Sequence, residues 1–277
     1  MPSPRLGSMA TGRRAAVAAF GGLSVALALG VYLPAFLPGL SDAVSLALYV
    51  FVSLAVISSA LVMTHGIPLR AVPTELGLNR SAPGGLFWAF AITVPMLLGF
   101  VLLRRGVFFE EGALDVVRRR PWAVLEGWAG AGLVEETLFR GYFFRQLVLR
   151  AGWSSQRGIV VCGLVFGLLH IPATWGQPPA EIAGAALITA AGGAGFCWFL
   201  KEWNWNLWFV IGWHAFVNLW WTLGQGGDSA VGNALANSLR LAVVALTLAV
   251  TMNRHRFPQR WLGSREERQE PRPNKSL

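Results

Sequence analysis

Apolar residues fall in long blocks along this chain rather than with the period of a half-buried surface helix or strand. Eight blocks stand out, about Ala15 to Leu37, Ala43 to Met63, Gly84 to Leu103, Trp122 to Leu149, Gly158 to Ile171, Ile182 to Leu200, Leu207 to Leu223 and Val231 to Met252. Several approach the roughly 20 residues with which an α-helix crosses a hydrocarbon core of about 30 Å. The fourth block is overlong, so tilting or protrusion is expected, and the fifth is short. The pattern predicts an all-α polytopic membrane protein with about eight transmembrane helices in one bundle. It would comprise an N-terminal segment 1–14, a helical domain 15–252 and a polar, disordered tail 253–277.

Composition agrees with this class. Hydrophobic residues make up 54% of the 277 positions and charged residues 13%, well below the roughly 25% charged content of an average soluble domain; the mean hydropathy is +0.50. The net charge of +9 does not point to nucleic acid, because the basic residues are mostly arginines in short connections and in the tail. Membrane lipids with anionic headgroups are the expected partner. The first block is too long for the core of a secretory signal and lacks a small-residue cleavage site, so it is expected to stay as a span. Arg13 and Arg14 and the Arg-rich tail place both termini in the cytoplasm by the positive-inside rule. The Arg cluster between Arg104 and Arg120 would then lie outside, where an interfacial amphipathic piece is expected. In a prokaryote the membrane would be the plasma (inner) membrane. Trp203, Trp205 and Trp208, at the entrance to the seventh block, are expected to anchor at headgroup depth.

Polar residues inside the blocks carry the candidate chemistry, since each charge near the centre of a spanning helix costs roughly 2.5–3.5 kcal/mol. In the fourth block Glu136 and Arg140 are spaced i,i+4 with the acid first, the favoured order for a helical ion pair. Glu135 projects about 100° away and is the carboxylate left for chemistry. In the fifth block Phe166 and His170 are i,i+4, and in the seventh His214 and Asn218 repeat that spacing. Counted inward from the expected cytoplasmic ends at about 1.5 Å per residue, Glu135, His170 and His214 reach a common layer roughly 12–20 Å deep. His65 and His255 lie outside this layer. Arg240 lies inside the eighth block, and the sequence supplies no partner for it. Cys162 and Cys197 fall in apolar blocks, where they read as buried core residues and support neither a disulfide nor a cysteine-based zinc site. Gly127-x-x-x-Ala131 and Gly163-x-x-x-Gly167 are small-residue spacings that let helices approach closely, and a contact between the fourth and fifth blocks is expected from them.

A carboxylate, two imidazoles and an amide in a partly dry pocket suit hydrolysis. Glu135 can act as general base, His170 can share the water proton or bind a metal, and His214 and Asn218 can donate to an oxygen that gains charge. The run Glu135-Glu136-Thr137-Leu138-Phe139-Arg140-Gly141, followed by Phe166-x-x-x-His170 and His214-x-x-x-Asn218, resembles the three-motif signature of the CPBP family, the CAAX proteases and bacteriocin-processing enzymes. The resemblance covers about 122–223. It implies an intramembrane endopeptidase that hydrolyses a peptide bond, with CAAX-type processing of prenylated peptides among its activities and a peptide or membrane protein as substrate. Glu135 and His170 would activate water, His214 and Asn218 would stabilise the oxyanion, and Glu136, Arg140 and Phe166 would support the site.

Members are commonly labelled metalloproteases, and here a divalent metal such as zinc, with Glu135, His170 and His214 as candidate ligands, and a metal-free route are both compatible with the residues. Other intramembrane protease types fit poorly: there is no H-E-x-x-H, and Gly226-Gly227-Asp228 does not complete the Gly-x-Gly-Asp of an aspartyl site. A non-catalytic binding or immunity protein on the same fold is the main alternative, and a small transporter using Glu135 as a proton relay is another.

Overall fold

Backbone N–H and C=O groups inside lipid must be satisfied within their own segment, which favours helices throughout, and no strand occurs among the described residues. The computed structural model describes residues 6–35, 37, 39–78, 82–104, 118, 121–227 and 232–256. The elements are α1 (Leu6–Ala35), α2 (Asp42–His65), the short α3 (Val72–Leu76), α4 (Ala82–Leu103), α5 (a continuous helical run over 121–150), α6 (Ser155–Leu169), α7 (Pro179–Glu202), α8 (Leu207–Leu223) and α9 (Ala234–Met252). Their ends follow local chemistry. Ser41, Ser154, Asn206 and Asn233 each accept a backbone N–H in the first turn of α2, α6, α8 and α9, as N-caps do. Gly66 closes α2 at φ 66°, a conformation that glycine adopts without a Cβ penalty.

Thr11–Val31 within α1, together with α2, α4, α7 and α9, are long and apolar enough to cross a membrane, five in all among the described residues. The expected count of eight is not reached by this measure, for physical reasons. The α6 helix has 15 residues and α8 has 17, so each is shorter than the roughly 20-residue span. The α5 run is α-helical over Pro121–Leu125 and π-type over Glu126–Glu135, Thr137–Phe144 and Gln146–Arg150; such wide turns are uncommon and tend to occur at functional sites. The expectations for the Arg cluster beyond Arg104 and for the tail fall largely on 105–117 and 257–277, outside the described residues.

Glycines set which helices meet, by removing the Cβ that would hold backbones apart. A Cβ on Gly132 of α5 would lie 2.8 Å from Ala215 Cβ and 3.2 Å from the Ile211 carbonyl oxygen of α8. A Cβ on Gly163 or Gly167 of α6 would lie 2.7 Å from the Ala190 carbonyl or 2.6 Å from that of Ala186, both on α7. The fourth and fifth blocks do meet, through Gly158 against Val148 and Phe144 and through the Phe139 and Phe166 rings, but their small-residue motifs serve other contacts. The small residues of the fifth block seat the sixth, and those of the fourth face the seventh, where Gly127 approaches Asn218. On the far side of α8, a Cβ on Gly212 would lie 2.9 Å from Ala89 Cβ of α4. The α8 helix is thus held between α4 and α5, and it also bonds to α9, since the Trp213 indole donates to Thr247 Oγ1 at 2.9 Å. Outside this core, large apolar side chains such as Phe51, Met63, Leu102 and Leu187 are exposed, as lipid-facing residues are.

One tryptophan at the entrance to α8 differs from expectation. Trp203 is fully buried, stacks on Phe209 with ring centroids 3.9 Å apart and donates to Thr251 Oγ1 at 3.0 Å. Trp208 donates to the Leu78 carbonyl at 2.9 Å, and Trp205 stacks on Phe144. Trp203 is therefore a core residue, whereas Trp205 and Trp208 are half-buried, each with a partner within the protein.

Candidate active site

The close approach of α5 and α8 at Gly132 brings the next turn of α5 against the middle of α8, and it is there that the acidic pair lies. Glu136 is fully buried, and its Oε1 accepts from Arg140 Nη1 at 3.0 Å and from His214 Nδ1 at 2.6 Å. The i,i+4 pair with Arg140 was legible in the sequence. The bond to His214 was not, because it joins residues 78 positions apart and depends on the glycine contact between helices.

Arg140 is fully buried among aromatic rings. Its guanidinium carbon lies 4.2 Å from the Phe166 centroid and 5.0 Å from that of Phe196. The guanidinium Nε and Nη2 have no hydrogen-bond acceptor among the described residues, so the ring faces are the electron-rich surface they meet. Phe166 serves twice, because its carbonyl also accepts from His170 Nδ1 at 2.7 Å. The bond fixes the tautomer of His170. A carbonyl can only accept, so Nδ1 carries the hydrogen and Nε2 of the neutral ring is an acceptor. Phe196, which the sequence analysis did not single out, packs against Arg140 and also against the His214 ring, with centroids 5.2 Å apart.

Glu135, one residue before Glu136 on α5, is half-buried and takes no part in the Glu136–Arg140 ion pair. Together with Phe166, His170, His214 and Asn218 it lines one cavity of about 900 Å³. Residues from α5, α6 and α8 therefore converge on a single space. The cavity wall is completed by α7, through Gly192, Gly195 and Phe196, and by α9, through Asn237, Arg240 and Val244. Glu136 and Arg140 stand behind this wall, and His214 connects the two layers.

The donor set was tested for a metal. Among the described residues no three His, Cys, Asp or Glu side chains are grouped so as to hold an ion. His170 and His214 have each committed Nδ1 to a protein acceptor. Both bonds leave Nε2 as the nitrogen of each ring available to a water, a substrate oxygen or a metal, since a ligating histidine also holds its other nitrogen on a carboxylate or carbonyl; the proposal below uses side chains alone. Cys162 and Cys197 are buried free thiols, and Cys162 Sγ donates to the Phe139 carbonyl at 3.5 Å.

Two features were missed at the sequence level. Arg240 does have partners, namely Asn237 Oδ1 on the same helix and the face of Trp221, 4.8 Å from the guanidinium carbon. Asn237 stands at i−3 and was a readable signal, whereas Trp221 comes from α8 and was not. Comparison with known proteins adds one finding. Residues 118–220 match the family model described as Type II CAAX prenyl endopeptidase Rce1-like. No curated protein and no solved structure matches the chain. The matched segment contains all three motifs, from Glu135 to Asn218.

Proposed function

From the CPBP/CAAX protease family, which the match over residues 118–220 supports, we propose that this integral membrane protein is a CAAX-type intramembrane endopeptidase in which Glu135 is the general base for water. The observation that carries the proposal is the convergence of Glu135, His170, His214 and Asn218 on one cavity. Water bound between Glu135 and Nε2 of His170 loses its proton to the carboxylate as its oxygen attacks the scissile carbonyl. The new C–O bond places negative charge on the carbonyl oxygen, which Asn218 Nδ2 and His214 Nε2 stabilise by donation. With Nδ1 directed at Glu136, His214 donates from Nε2 in its doubly protonated form. The C–N bond then breaks, and the proton held by Glu135 passes to the departing amine.

Glu136 and Arg140 do not touch substrate in this scheme. Glu136 orients the His214 ring, as a buried carboxylate orients a catalytic histidine, and Arg140 with its aromatic rings neutralises Glu136. In the same proposal α5, α6 and α8 are embedded with the five longer helices, giving about eight crossings with both termini cytoplasmic.

The test is cleavage of a farnesylated Cys-aliphatic-aliphatic-X peptide by protein reconstituted in liposomes, with the released tripeptide read by mass spectrometry. Wild type is expected to release it, and Glu135→Gln to do so about 100-fold more slowly or worse. Cleavage by Glu135→Gln at the wild-type rate would remove Glu135 from the chemistry. Absence of cleavage by wild type would remove the activity.

A further inference from the structure

The four proposed catalytic side chains do not account for the whole cavity. Beyond Asn218 it continues to a wall formed by α9 and the end of α8, where Trp221, Asn237, Arg240 and Leu241 face the same space. Arg240 is half-buried in an otherwise apolar helix, and among the described residues it has no acidic partner.

The guanidinium is nevertheless held in place. Asn237 Oδ1 accepts from Nη2, and the Trp221 ring lies 4.8 Å from the guanidinium carbon. Trp221 itself is fixed, since its Nε1 donates to the Gly227 carbonyl at 2.9 Å. Gly226 and Gly232 let the backbone close on the indole, because a Cβ on them would come within 2.5 Å and 2.2 Å of ring atoms. A cation presented on a rigid aromatic support at the edge of an apolar cavity is suited to a planar anion, which a guanidinium can bind through two parallel N–H donors.

Two contacts between α8 and α9 frame the stretch of cavity between His214 and this cation. One is the Trp213–Thr247 hydrogen bond, beside His214, and the other is the Trp221–Arg240 stack. They stand eight positions apart on α8 and seven on α9, about 10–12 Å at the helical rise, and Asn218 lies three positions, about 4.5 Å, before Trp221. Extended peptide rises about 3.3–3.6 Å per residue, so a few residues cover the stretch.

We propose that Arg240 binds the terminal carboxylate of the substrate, a few residues past the scissile bond. The position of the scissile bond rests on the proteolytic assignment above. The cation itself lies outside the 118–220 match, so the motifs that define the family do not carry it. The guanidinium would favour substrates with a free C-terminus over internal segments of membrane proteins, and it would disfavour a chain extended by further residues past the cut.

Binding tests this without requiring turnover. The probes are a dansylated, farnesylated peptide ending in Cys-Val-Leu-Ser and its C-terminal amide, titrated by fluorescence anisotropy onto Glu135→Gln protein in lipid nanodiscs. The acid is expected to bind at least 10-fold more tightly than the amide. Arg240→Gln on the same background is expected to weaken the acid to the level of the amide, and Arg240→Lys to keep part of the preference. Equal binding of acid and amide by Glu135→Gln, loss of both to the same degree in Arg240→Gln, or no binding of either peptide would overturn the proposal. Failure of wild type to cleave while the acid preference and its dependence on Arg240 persist would instead sink the proteolytic assignment and leave the carboxylate anchor standing.

Discussion

Glu135 and Glu136 are neighbours with identical chemistry and different surroundings. Glu136 is sealed between Arg140 and His214, whereas Glu135 opens onto the cavity. Removing one partner of a buried ion pair leaves an uncompensated charge, at a typical cost of 3–5 kcal/mol. Glu136→Gln is therefore expected to lower the thermal unfolding temperature markedly. Phe166→Leu removes the ring closest to the Arg140 guanidinium and is expected to cost about 2 kcal/mol, again read as thermal stability. If Glu136→Gln melts like wild type, the carboxylate is not what balances Arg140. The intrahelical part of this arrangement was readable from the i,i+4 spacing alone. The Glu136–His214 bond and the Trp221 support of Arg240 were hidden, because spacing along one helix carries no information about which face of another it meets.

At the scale of elements, the positions of small residues decide the pairing. The sequence showed Gly163 and Gly167 four apart but not what they would meet. Ala186, Ala190 and Ala194 on α7 supply the complementary surface at the same spacing. Gly167→Leu places a branched side chain where a Cβ alone would lie 2.6 Å from the Ala186 carbonyl, so it is expected to separate α6 from α7 and reduce the yield of folded protein. Gly184 has no atom within 4 Å of a built Cβ. Gly184→Ala should be neutral or stabilising by up to about 1 kcal/mol, the difference in helix propensity. Equal yields of folded Gly167→Leu and wild-type protein in detergent would refute the packing described for this pair. Trp203, expected as an interfacial anchor, was misplaced for a related reason. An indole satisfies its N–H equally well at headgroup depth or against a buried threonine, and only the packing of Trp203 on Phe209 with its bond to Thr251 selects the second.

At the scale of the whole molecule, the long apolar blocks and the composition together pointed to the membrane class and the helical fold. Five helices reach spanning length among the described residues; α6, the block already short in the sequence, has 15 residues and still exposes Val160, Leu164 and Leu168 on one side. The gathering of Glu135, His170, His214 and Asn218 around one cavity was anticipated by their common depth. Its extension to Arg240 needed the third dimension. Because the proposed mechanism uses side chains alone, turnover is expected to be unchanged after dialysis against a strong chelator. Loss of activity restored by zinc would show that a metal takes part.

The claim on which all of this depends is that adjacent carboxylates divide the work, one for chemistry and one for structure. The most direct measurement compares Glu135→Gln and Glu136→Gln with wild type in the same liposomes, recording both tripeptide release and melting temperature. The expected result is a Glu135→Gln protein that melts like wild type and has lost at least about 100-fold in rate, beside a Glu136→Gln protein that is clearly less stable. A Glu135→Gln protein that still releases tripeptide at the wild-type rate, with its melting temperature unchanged, would contradict the account.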